Sequence, residues 1–250
     1  MYPQLLKIGP LVIYTYGFFI LLAFVIPYLL ARKEVKTWGI SEEFLTNLWI
    51  LLLLGGLGGG KLLYIFLHLP SILKNPLSGG NLRGGFAYLG GFAGAFLAGA
   101  IYIRIRKESL PRVSYILTPY IPLGQAIGRW GCFFNGCCYG RPTLLPWGMV
   151  FPLNSPAGYH YGALPLHPAQ LYASLFNLVF FLFLWHLRNK GRHKYRLLPF
   201  YFLIYLLFRG ALEFVRGDVI PVINNITLLH VTLPFLLTFT FIWWKKWKMD

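Results

Sequence analysis

The stretch GRWGCFFNGCCYGR, residues 128–141, gathers two arginines, an asparagine and all three cysteines of a 250-residue chain. Guanidinium groups in a water-poor setting bind phosphate or carboxylate through paired hydrogen bonds. Thiols beside positive charge ionise more readily and become nucleophiles. A second charged set lies in FRGALEFVRGD, where Arg209, Glu213 and Arg216 recur at i, i+4 and i+7. That spacing predicts one shared helical face. One carboxylate cannot neutralise two guanidinium groups, so capture of a phosphate or phospholipid headgroup is expected there, the alternative being a self-neutralising Arg–Glu pair.

The elements that position these groups must lie in a membrane. The chain is 57% hydrophobic, 18% aromatic and 12% charged, whereas soluble domains carry about 25% charged residues. The expected fold is all-α: one transmembrane domain over 1–250, a polytopic bundle with about seven spans. A bilayer core needs roughly 20 apolar helical residues per span. The spans are read at 11–31, 44–69, 86–106, 113–127, 168–187, 197–215 and 227–244, the fourth short enough to be tilted or partly re-entrant. The first, with only Lys7 before it and no small-residue cleavage pattern, reads as a retained helix. No soluble domain is expected before or after the bundle. GGLGGG at 55–60 lies within span two, where small residues serve close helix contact or a functional approach of the backbone.

The net charge of +16 is explained by topology. Arg32, Lys33 and Lys36, Arg104, Arg106, Lys107 and Arg112, the run Arg188, Lys190, Arg192, Lys194 and Arg196, and Lys245, Lys246 and Lys248 all fall in alternate connecting segments. They make up 15 of the 23 basic residues. The positive-inside rule makes that side cytoplasmic, with the N-terminus outside and the C-terminus inside, and leaves no call for nucleic acid. Lys7, Lys61, Lys74, Arg83, Arg129, Arg141, Arg209 and Arg216 are left on the outer face or in the outer halves of spans. A charged group at membrane depth costs roughly 2.5–3.5 kcal/mol on insertion scales, so each needs a partner or a function. The Gly- and Pro-rich loop region 128–168 lies on the same outer face, where binding and catalysis concentrate.

Six segments in order resemble the prolipoprotein diacylglyceryl transferase family. GRWGCFFNGCCYGR resembles its GR-x-GNF-x-NGE-x-x-G stretch, LPLHPAQLYAS (164–174) its RHPSQLYEA segment, and FLIYLLFRGALEFVRGD (202–218) its R-F-x-x-E-F-x-R helix. GPLVIYTYG (9–17), GGGKLLYIF (58–66) and GGFAYLGGFAG (84–94) resemble its GP…WYG, GGR-x-x-Y and GGM-x-F-HGG-x-x-G motifs. The resemblance implies a multi-pass enzyme of the bacterial cytoplasmic (inner) membrane with its active site facing outward. It would move the diacylglyceryl group of phosphatidylglycerol onto the lipobox cysteine in a prolipoprotein signal peptide, with glycerol phosphate leaving. By motif position it implies that Arg129 and Arg209 hold the phosphate, Arg216 and Lys61 add positive field, and Glu213 orients an arginine. Tyr16 and Asn135 would bond near the glycerol, Gly140 would be the closing glycine, and Arg141 would join the substrate-binding set.

The chain departs from the family where the acceptor thiol would be deprotonated. Cys132 replaces an asparagine, Cys137 a glutamate, Leu89 the histidine of HGG, and Lys61 an arginine, the last not conservative at a bidentate site. Candidate replacement bases are His167, with an ordinary pKa near 6.5, Tyr88 and Glu213. His167 could equally cap or pack the start of span five. Cys132 could form a disulfide with Cys137 or Cys138 on an oxidising face, a thiolate beside Arg129 and Arg141 could carry the lipid transiently, or the cysteines could be small packing residues. Cys-x4-Cys-Cys lacks the usual spacing of a structural zinc site and no His pair completes one, so no metal and no cofactor are expected. Two other functions remain open: a transferase of the same fold with a different acceptor, and a non-catalytic phospholipid-binding protein.

Overall fold

The computed structural model describes residues 4–8, 11–74, 85–191, 196–219, 221–223 and 226–246. Gly9, Pro10, Arg83, Gly84, Arg192, Lys194 and Lys248, singled out above, lie outside the described residues. The protein is a helical membrane protein. A hairpin of β1 (Gln4–Ile8) and β2 (Leu11–Tyr14) leads into α1 (Thr15–Val35). Then come α2 (Glu42–Leu67), α3 (Leu69–Lys74), α4 (Tyr88–Ile105), α5 (Leu110–Leu117) and α6 (Tyr120–Asn135). The segment 136–168 holds α7 (Pro156–Tyr161), followed by α8 (Ala169–Asn189), α9 (Leu197–Glu213), the short strands β3 (Pro221–Ile223) and β4 (Ile226–Thr227), and α10 (Leu228–Lys246). Among the described residues three stretches, Thr15–Trp38, Glu42–Leu67 and Ala169–Asn189, are long and apolar enough to cross a bilayer. Leu89–Ile105 is a shorter apolar helix.

The chain divides into two compact units, residues 32–113 and residues 1–31 with 114–250. In the first, Ser41 caps α2 by accepting the Phe44 N–H at 3.1 Å, and Glu42 pairs with Arg32 and Lys36, each at 2.7 Å. The GGLGGG run is explained by packing. Gly55 and Gly59 of α2 face Gly90 and Gly94 of α4, and a Cβ on Gly59 would stand 2.3 Å from the Gly90 carbonyl oxygen, one on Gly94 2.2 Å from that of Gly55. Lipid tails are as apolar as leucine, so helices in a bilayer associate through close packing, and only glycine lets these backbones approach this far.

In the second unit the expected fourth span, 113–127, is corrected. The helix breaks at Thr118–Pro119 into α5 and α6, and α6 runs on to Asn135. No breaker intervenes between Gly128 and Asn135, so the first half of the arginine–cysteine stretch is helical. Gly136 ends it in the left-handed conformation (φ +69°), its N–H returning to Phe133 O. Buried Gln170, Ser174 and Asn177 line one face of α8, and Ser174 donates to Ala126 O at 2.9 Å, fastening α8 to α6. Phe133 at the end of α6 and, past it, Tyr139, Phe151, Ala157 and Leu166 form an apolar core of their own, so the segment 136–168 is packed rather than draped.

Arg188, counted above with the charges that set topology, is fully buried. It donates to Ile116 O at 2.9 Å and stacks on Tyr120, while the Tyr115 hydroxyl donates to Arg188 O at 2.8 Å. It joins α8 to α5 and α6.

Gly59→Val is expected to overpack the α2–α4 contact, at a cost of roughly 1–3 kcal/mol. Gly58→Val should be tolerated because nothing lies within 4 Å of a Cβ there. Thermal unfolding of the two variants in detergent distinguishes them: equal melting temperatures would remove the packing role.

Candidate active site

The site is built around a junction of three segments. Tyr139, Gly140 and Arg141, just past α6, lie between His167 at the entrance to α8 and Val215–Gly217 at the exit of α9. The bonds run from Gly140 N to His167 O (3.0 Å), His167 N to Arg141 O (3.0 Å), Arg141 N to Val215 O (2.8 Å) and Gly217 N to Tyr139 O (3.0 Å). A Cβ on Gly140 would sit 2.4 Å from His167 Cβ and 2.5 Å from its carbonyl oxygen, so this close approach requires glycine. The Arg141 Nε adds a bond to Arg216 O at 3.0 Å.

Two of the arginines find carboxylates. Arg209 pairs with Glu213 one turn on, and both are largely buried. Arg216 is not on their helical face, because α9 ends at Glu213 and the chain turns. It makes a two-pronged pair with Asp218, at 2.8 and 2.6 Å. The expectation of one shared helical face, with a guanidinium in excess of its carboxylates, is therefore corrected: Arg216 has its own acidic partner two residues on. Arg129, half-buried on the last turns of α6, bonds the Tyr205 side chain of α9 and lies within electrostatic reach of Cys132 and Cys138. Among the described residues no carboxylate pairs with it. Tyr205 and Arg209 are one helical turn apart, so both reach toward the same side of α9.

Cys132, Cys137 and Cys138 are free thiols, each partly buried, with their sulfurs all within 4.8 Å of one another. The loop is held by Cys137 N bonding Cys132 O at 3.1 Å and by the buried Gln170 amide donating to Cys137 O at 2.8 Å. The Gln170 Oε1 has no partner among the described residues. Cys138 adopts φ +57°, and its thiol is held well below the ordinary range by hydrogen bonds from Cys132 and Cys137, with Arg129 and Arg216 adding positive field. The Asn135 side chain bonds Cys137. Tyr16, on the first turn of α1, packs over Gly131 and its phenol feels all three cysteines and Arg129. One end of the second unit thus brings together Arg129, Arg209, Glu213, Arg216, Tyr16, Asn135 and the three thiols.

His167 faces other partners. Its Nδ1 lies 3.2 Å from the Tyr172 hydroxyl, which accepts from Trp147 Nε1 at 2.7 Å. Burial lowers the imidazole pKa, leaving it neutral at pH 7. Lys61 and Tyr88 belong to the other unit: the Lys61 ammonium lies over the Tyr64 and Phe86 rings at 5.3 and 5.6 Å, and Tyr88 opens α4. Leu89 is 73% exposed and offers no proton-transfer group. Tyr205, Asp218, Gln170 and the Trp147–Tyr172 pair were not singled out from sequence. Asp218 and Gln170 stand inside the motif segments quoted above, whereas tyrosines and tryptophans are too common in spans to signal a role.

Guanidinium groups assembled at one end of the helices of a membrane protein can hold an anionic group there, and the family match makes the protein a membrane-embedded transferase. Residues 3–245 match the prolipoprotein diacylglyceryl transferase family, and the chain belongs to it. Its relatives include phosphatidylglycerol–prolipoprotein diacylglyceryl transferases from Clostridium tetani, 36% identical over 243 residues covering 97% of this chain and 94% of the relative, and from Bordetella avium, 37% identical over 220 residues covering 86% and 81%. A third, numbered 2 in Clostridium perfringens, is 35% identical over 215 residues covering 85% and 82%.

Gly140→Ala should destabilise the fold by roughly 1–3 kcal/mol through overpacking. Gly17→Ala, at an ordinary φ and with nothing within 4 Å of its Cβ among the described residues, should cost less. Limited proteolysis of the outer region compares the two. Because burial lowers the His167 pKa, the unfolded chain binds its proton first as pH falls; the resulting loss of stability sets in below about pH 6.5. His167→Gln should flatten the pH dependence of the melting temperature in that range.

Proposed function

We propose that this chain transfers the diacylglyceryl group of phosphatidylglycerol to the lipobox cysteine thiol of prolipoproteins, releasing glycerol phosphate. Family membership and the names of the relatives support it. The observation that carries it to particular residues is Arg129, a half-buried guanidinium with a tyrosine partner and no carboxylate. The phosphodiester loses its diacylglyceryl carbon and becomes a monoester with one further negative charge. A pre-placed cation that gains as this charge develops lowers the barrier. Arg129 would bind the phosphate and Arg209, oriented by Glu213, would complete the clamp. Tyr16 and Asn135 would bond near the glycerol, with Gly140 and Arg141 keeping the outer segments in register. Arg216 and Lys61 would contribute field.

The chain is read as one transmembrane domain of about seven crossings, with the N-terminus outside, the C-terminus cytoplasmic and the site facing the outer side of the bacterial inner membrane. The distribution of basic residues between alternate segments supports that orientation. Phosphatidylglycerol would enter laterally from the bilayer and the signal peptide would present its cysteine from the same face.

Purified protein in phosphatidylglycerol vesicles with a lipobox peptide tests this by release of glycerol phosphate and by the peptide's mass. Arg129→Ala should lower turnover about 10²–10³-fold, the usual loss of one transition-state donor. Arg129→Lys should restore only part of it, since an ammonium cannot make the planar two-pronged contact. Intact lipid and unmodified peptide with the wild type would overturn the assignment.

A further inference from the structure

Two of the three thiols, Cys132 and Cys137, stand where the family carries an asparagine and a glutamate, Cys138 follows directly, and the family histidine is an exposed leucine, so the chain needs another way to make the acceptor cysteine nucleophilic. We propose that Cys132, Cys137 and Cys138 bind a thiophilic divalent cation of the zinc class, whose open fourth position takes the acceptor thiol as a thiolate. This rests on the transferase reading and deepens it.

The geometry fits. Zinc–sulfur bonds of about 2.3 Å in a tetrahedron place neighbouring sulfurs about 3.8 Å apart. The three sulfurs already lie within 4.8 Å of one another, so contraction by no more than about an ångström closes the site. The backbone around them is fixed by the Gly136 cap, the Cys137 N to Cys132 O bond and the Gln170 clamp. Spacing alone argued against a metal because it was weighed against four-ligand structural sites. Catalytic sites need only three protein ligands and keep one position open, and the partial exposure of all three cysteines leaves access for a fourth. Three thiolates and a divalent cation carry a net charge of minus one, which Arg129 and Arg216, the cations acting on Cys138, offset.

The step balances without a redox partner. The acceptor S–H loses its proton to water on coordination, as metal-bound thiols do. The metal-bound thiolate attacks the terminal carbon of the diacylglyceryl group. The S–C bond forms, the C–O bond to phosphate breaks, and its electron pair leaves with glycerol phosphate under Arg129. The product thioether is neutral and a weak ligand, so it leaves the metal and the position reopens.

The test uses the full chain, stripped with chelator under reducing, oxygen-free conditions, then loaded with Co²⁺ as a coloured substitute for Zn²⁺. One equivalent should give sulfur-to-cobalt charge-transfer bands and tetrahedral d–d bands and protect three thiols from alkylation. A lipobox peptide, but not its Cys→Ser form, should shift the d–d bands. Cys137→Ser should weaken Co²⁺ binding by at least about 100-fold, more than loss of a supporting group around a metal costs. Zn²⁺ should restore diacylglyceryl transfer to stripped protein. Transfer by stripped protein at the zinc-loaded rate with no cobalt bands would overturn the metal site and leave the transferase reading standing. Cobalt bands that ignore the peptide thiol would overturn the activation role. Bands and peptide shift without transfer in any state would keep the site and overturn the transferase reading instead.

Discussion

Backbone groups at a membrane boundary must find partners inside the protein, since the adjoining lipid offers none. In this chain the constraint falls on Tyr139, Gly140 and Arg141, and the bonds that place them between His167 and Val215–Gly217 determine much of what surrounds them. The junction ties the end of α6 to the start of α8 and the end of α9, which are the segments that carry Arg129 and the cysteines, His167 and Gln170, and Arg209 to Asp218. Gly140 is needed because any side chain would separate these strands. The small apolar core from Phe133 to Leu166, which includes Tyr139, supports the same junction.

Given that frame, electrostatics sorts the arginines into different tasks. Arg209 and Arg216 each hold a carboxylate, and Arg188 is buried against carbonyl oxygens and an aromatic ring. Pairing lets a guanidinium remain at depth at lower cost, but a neutralised pair has less to offer a second anion. Arg129 differs because, among the described residues, its neighbours are the Tyr205 phenol and cysteine sulfurs and no carboxylate. A group in that condition binds an incoming phosphate more strongly than a paired one does, and more strongly still as the leaving phosphate acquires its second charge.

Much of this was readable from the residues. Hydropathy located most of the helical segments to within a few residues, because a span must be long and apolar whatever it packs against. The motifs placed Arg129, Arg209 and Glu213 together because their positions along two helices preserve them. What failed were extrapolations through chain breaks. Helical spacing carried Arg216 onto a face that ends at Glu213, and the glycine and proline content after residue 127 suggested a loop where α6 continues to Asn135. Asp218 was passed over because a carboxylate in a turn has no periodicity to mark it. The convergence of three sulfurs separated by five and six positions depends on the left-handed cap at Gly136, which spacing alone does not disclose.

The chemistry of sulfur limits what those thiols can do in the reaction. A cysteine that accepted the diacylglyceryl group would itself become a thioether, and passing the group on would require an acceptor thiolate to displace an alkyl-bound thiolate from unactivated carbon. Covalent catalysis helps only when it divides one difficult step into two easier ones, and here the second step would be harder than the direct transfer it replaces, because phosphate under an arginine leaves more readily than an alkanethiolate. The transient lipid carrier suggested by the cysteines is therefore a dead end. Their proximity to Arg129 bears instead on the other reactant, the acceptor sulfur, which must arrive as a thiolate at a carbon one ester bond from the bound phosphate.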